Sequence, residues 1–62
     1  MNVIVYKQKY NSGIDWVYTV YKGSKIIQSG SINYYTYPNK DLASKKILSE
    51  LPPGDYEIIF KD

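Results

Sequence analysis

The chain has 62 residues, a net charge of +2 and neither Cys nor His. That length bounds it to one domain near the lower limit for folding without a staple, and the composition removes disulfides and the common zinc-ligand sets. No apolar run approaches the roughly 18 residues of a membrane span. A strand pattern follows Met1 directly, so the expectation is a soluble, cytoplasmic protein without signal peptide, metal or cofactor. All eight basic residues are Lys. Arg supplies the bidentate fork for phosphate, carboxylate and guanine, and Lys does not replace it. The skew towards Lys, Ile, Tyr, Asn and Ser suits an A/T-rich genome, such as a low-GC bacterium or one of its phages.

Residues 2 to 10, NVIVYKQKY, are β-branched and aromatic and predict a first strand. Alternation puts Val3, Val5, Lys7 and Lys9 on one face and Asn2, Ile4, Tyr6, Gln8 and Tyr10 on the other. Asn11-Ser12-Gly13 reads as a turn. Residues 14 to 22 predict a second strand, with Trp16, Tyr18 and Val20 sharing one face and Val17, Thr19 and Tyr21 the other. Lys22-Gly23-Ser24-Lys25 reads as a tight hairpin. A third strand is predicted from Lys25 to Tyr37, with a bulge or bend at Gly30.

PNKDLASKKILSELPPG, Pro38 to Gly54, is the one helical segment. Asn39 is its expected N-cap, with Asp41 the alternative, and Asp41 suits the positive end of the helix dipole. Ala43, Ile47, Leu48 and Leu51 make the predicted buried stripe; Leu42 falls outside it. Pro52, Pro53 and Gly54 stop the helix. Residues 55 to 61, DYEIIFK, predict a fourth strand with Tyr56, Ile58 and Phe60 on one face. Two hairpins and a right-handed crossover then give an α+β fold, β-β-β-α-β, with a four-stranded mixed sheet of order 3-2-1-4 and the helix on one face.

This element order resembles the front half of the ribonuclease H-like fold. GIDWVYTVYKGSKIIQSG is similar to that family's second and third strands, and ELPPGDYEIIFKD to its helix end and fourth strand. The resemblance implies a Mg²⁺ site built from acids in the first strand, on the helix and at the end of the fourth strand. Asp62 falls at the last position, and Asp41 or Glu50 stands for the helix acid. The first strand reads Val5, Tyr6, Lys7 where an acid belongs, and a lysine there repels the metal. The implied protein is a catalytically incomplete member. The partial domain of HicB-type antitoxins is similar in element order and implies a toxin-binding homodimer.

Without His or Cys the commonest nucleophile–base pairs are missing, and no phosphate-cradling glycine loop is present. The expectation is a protein that is not an enzyme. Eight tyrosines in 62 residues are the outstanding feature. One short helix covers one sheet face, yet every strand carries apolar or aromatic groups on both, so several rings should stay accessible for an interface. The expected partner-binding residues are Tyr10, Trp16, Tyr18, Tyr21, Tyr34, Tyr35 and Tyr37, together with the long third strand as an edge. Lys7, Lys9, Lys22 and Lys25 are the expected contacts to phosphate or an acidic partner. The leading expectation is a small inhibitor or adaptor that binds a protein, such as a phage-encoded anti-CRISPR-type protein in the host cytoplasm. The alternatives are a single-stranded nucleic-acid binder using Tyr stacking and Lys, and an antitoxin-like homodimer.

Overall fold

The computed structural model describes residues 1–61. Strands β1 (Asn2–Tyr10), β2 (Gly13–Lys22) and β3 (Lys25–Asn33) precede helix α1 (Lys40–Glu50) and strand β4 (Glu57–Phe60). They form the expected α+β fold with one sheet of order β3-β2-β1-β4. β2 runs antiparallel to both β1 and β3, and β4 lies parallel to β1. A parallel partner for β1 needs a crossover, which α1 supplies. β4 is pinned at both ends: Glu57 N donates to Met1 O at 2.9 Å and Lys61 N to Val5 O at 2.7 Å.

Local chemistry sets the connections. Gly23 has φ +63° and its neighbour Ser24 has no positive φ, the pattern of a type II′ hairpin turn. Asn39 accepts a bond from Leu42 N at 2.9 Å and so caps α1. Leu51, extended at φ −98° and ψ 150° ahead of Pro52, ends the helix. Ala43 and Ile47 are buried in α1, and Leu51 seals its end. Leu48, expected in that stripe, is exposed. It lies one residue, about 100°, from Ile47, and the row at four-residue spacing already fills the contact with the sheet. Leu42 is exposed, as its position outside the stripe implies.

Three further expectations are corrected. β3 ends at Asn33 rather than Tyr37, because the Asn33 side chain accepts from Thr36 N at 3.0 Å and Thr36 Oγ1 at 3.3 Å. Those bonds compete with the ladder and turn the chain off the sheet. β4 begins at Glu57, after the loop from the helix. The bulge lies at Ile27, not Gly30: the pairing steps from Val20↔Gln28 to Tyr21↔Ile26 and leaves Ile27 without an opposite residue. Gly30 is instead crossed by the Tyr18 ring, since a Cβ there would sit 2.6 Å from the Tyr18 hydroxyl.

The core is the helix-facing side of the sheet, Val3, Val5, Trp16, Tyr18, Val20 and Ile32, closed by Ala43, Ile47 and Leu51. Among the described residues no helix is long and apolar enough to cross a membrane.

Candidate functional site

Because side chains alternate along a strand, the pairing register assigns the residues of the helix-free face. One row across it runs Glu57, Asn2, Tyr21, Ile26; the next runs Ile59, Ile4, Thr19, Ser29; a third holds Tyr6, Val17 and Ser31. Ile26 is 58% exposed and Tyr6 39%. Ile4, Val17, Tyr21 and Ile59 are half-buried by their neighbours within the sheet. The middle of this face carries no charge; Glu57 and Asp15 stand at its borders. It abuts the bulge, where Ile26 and Ile27 are both exposed.

The seven aromatic residues expected at the interface do not form one surface. Trp16 and Tyr18, each 3% exposed, belong to the core, which corrects the expectation that they are accessible. They point to the helix side of the central strand β2. The indole N–H of Trp16 donates to Tyr37 O at 2.7 Å, and its ring meets Phe60 and Tyr34 at centroid distances of 5.4 Å. The Tyr18 hydroxyl donates to Glu50 Oε1 at 3.1 Å, and burial raises its pKa above the ordinary tyrosine value. Tyr34 and Tyr37 pack half-buried against the core, because the Asn33 turn folds them back over it. Tyr35 is exposed near Gly13, whose φ of +148° and lack of Cβ leave room for the ring. Tyr10 is exposed at the end of β1, and Tyr21 lies on the helix-free face.

The four lysines separate as well. Lys7 and Lys9 are in register with Trp16 and Ile14 and so point away from the face of Tyr6 and Tyr10. Lys22 and Lys25 pair with one another at the opposite end of the sheet. Asn33, the turn former that withdraws Tyr34 to Tyr37, is the signal in the sequence that could have foretold half of this rearrangement.

A second feature lies where α1 begins. A cleft of about 490 Å³ is lined by Lys7, Lys40 and Lys61, by Trp16 and Phe60, and by Pro38 with the cap Asn39. Lys7 Nζ stands 4.9 Å from the Tyr34 ring centre and 5.5 Å from that of Trp16, and Lys40 Nζ stands 5.5 Å from Phe60. Lys40, Lys61 and Phe60 were not expected as site residues. Their meeting with Lys7 depends on where β4 and the helix start come to lie, which no local pattern encodes.

The acids are spread apart. Glu50 binds Tyr18 and pairs with Lys46 at 3.5 Å. Among the described residues no three acids come together to hold a metal ion. Asp62, which the ribonuclease H-like resemblance puts at the end of the fourth strand, lies outside the described residues. No family model, curated protein or solved structure matches this chain.

Proposed function

We propose that the protein is a non-enzymatic binding domain that docks the helix-free face of its sheet on another protein, acting as an inhibitor or adaptor. The observation that carries this reading is the separation of the two side-chain classes. The uncovered face presents Ile4, Tyr6, Val17, Tyr21, Ile26 and Ile59 with no charge at its centre, while Lys7 and Lys9 alternate to the other side. A sheet that binds a single strand across its open face needs cations beside the rings on that face, and Lys7 and Lys9 lie on the other. An uncharged patch of apolar side chains interspersed with Thr19, Ser29 and Ser31, with tyrosines at its margin, instead suits the surface of a protein partner. The β3 edge extends the patch. Its nine residues include no Pro and one charge, Lys25, so a partner's strand can add to it. The biological setting proposed is a phage-encoded inhibitor of a bacterial defence enzyme, which the size and residue bias support.

The test compares capture from host lysate by the wild-type chain and by Tyr6→Lys/Ile26→Lys, with nuclease present. The expected result is nuclease-resistant capture that the double substitution abolishes, with the unfolding midpoint retained. Capture that survives the substitution overturns the reading. Light scattering on the purified chain distinguishes a second copy as the occupant: a mass twice the monomer, lost in the same variant, would replace a foreign partner with a homodimer.

A further inference from the structure

The cleft at the start of α1 lies away from the helix-free face, and its chemistry is different. Three lysines, Lys7, Lys40 and Lys61, line one cavity. Among the described residues the single ion pair within 4.0 Å is Lys46–Glu50, so none of the three is neutralised by a carboxylate there. Two of them rest on ring faces instead, a contact that holds a cation without cancelling its charge. Asn39 caps Leu42 N, and among the described residues no bond takes up the amide hydrogens of Lys40 and Asp41. These amides sit at the positive end of an 11-residue helix. The cavity volume falls within the range of small-ligand sites, about 300–1,000 Å³.

We propose that this cleft binds a phosphate ester with a flat organic part, a nucleoside phosphate, either free or at the 5′ end of a strand. Three point-like ammonium groups on different elements match a tetrahedral dianion. A planar carboxylate is better served by the guanidinium fork, and the chain has no Arg. The amides at the helix start add donors suited to phosphate oxygens. Phe60 and Pro38, with the edge of Trp16, supply an apolar wall for the base.

Trp16 is the chain's one tryptophan and lines the cleft, so its fluorescence reports binding. The titrants are AMP, adenosine, inorganic phosphate, and a short single-stranded oligonucleotide with and without a 5′-phosphate. AMP is expected to bind at low salt, more tightly than either phosphate or adenosine alone. Lys40→Gln and Lys61→Gln, both at exposed positions, should each weaken it about tenfold, the worth of a charged hydrogen bond. Lys45→Gln, outside the cleft, should leave it unchanged. Preference for the 5′-phosphorylated oligonucleotide over AMP assigns the ligand to a strand end, and the reverse assigns it to a free nucleotide. Absence of AMP and oligonucleotide binding at low salt overturns the proposal. So does affinity insensitive to Lys40 and Lys61 with folding intact, or equal affinity for AMP and inorganic phosphate.

Discussion

The two faces of this sheet are nearly matched in what they carry and opposite in what becomes of it. Val3, Val5 and Val20 on one face are enclosed to within 1%, whereas Ile26 and Tyr6 on the other retain 58% and 39% of their surface. Ile4 and Val17, adjacent in sequence to enclosed residues, are half-buried only by their neighbours in the sheet. The difference is made by a single helix. Eleven residues give a rod about 16 Å long and about 10 Å across, enough to cover one face of four strands and no more. In a larger domain a second layer would cover the remaining face. Here the helix closes one face and leaves the other open.

The contrast can be broken most directly by matched truncations. Ile47→Ala removes a fully enclosed side chain under the sheet and should cost about 2–5 kcal/mol, whereas Ile26→Ala on the open face should change stability by about 0.5 kcal/mol or less. A domain of this size has little stability to lose. Urea unfolding of the two variants measures both numbers, and equal costs would mean that the helix does not divide the faces as described.

A smaller effect sharpens the account of the covered face at its β3 border. Gly30→Ala would place a methyl group 2.6 Å from the Tyr18 hydroxyl and 2.8 Å from its ring, and Tyr18 is enclosed and cannot swing away. The expected cost is about 1–3 kcal/mol, typical of overpacking. Loss of the same size in a Tyr18→Leu background would show that the ring is not the obstacle.

The smallest effect is a pH dependence. Burial, with the bond to Glu50, holds the Tyr18 pKa above the ordinary tyrosine value of about 10. The folded state therefore favours the neutral phenol. Its contribution is fully present below pH about 10 and is lost as the pH rises through the folded-state pKa. Tyr18→Phe should show a shallower alkaline decline in its urea midpoint than the wild type. An identical decline would place the alkaline sensitivity in other groups.

Much of the architecture was legible because it rests on local rules. The Asn39 cap, the Leu51-Pro52 stop and the Gly23 hairpin each act within a few residues, and the element order then leaves few ways to arrange four strands. Boundaries failed where side chains compete with the backbone ladder: Asn33 drew Tyr35 to Tyr37 off the sheet just past the last bond to β2, Tyr34 N to Ile14 O, although the aromatic run reads as strand. The face assignments were legible as pairs of sets but not as inside and outside. Both sets on β1 and β2 are apolar, and the period of two says which residues are companions without saying which companions meet the helix.

The two hairpins of β1, β2 and β3 and the ends of the helix were therefore decided by the sequence itself, through contacts between near neighbours. Which aromatic rings are core, and which lysines share a cleft, were decided only by tertiary structure. Trp16 became core under Tyr34, Tyr37 and Phe60, and Tyr18 beside Glu50 of α1, all on the helix side of β2. Lys7, Lys40 and Lys61 converge because β1, the helix start and the end of β4 meet at one corner of the sheet. Such meetings join residues more than 20 positions apart, and they exist only once the whole chain has closed.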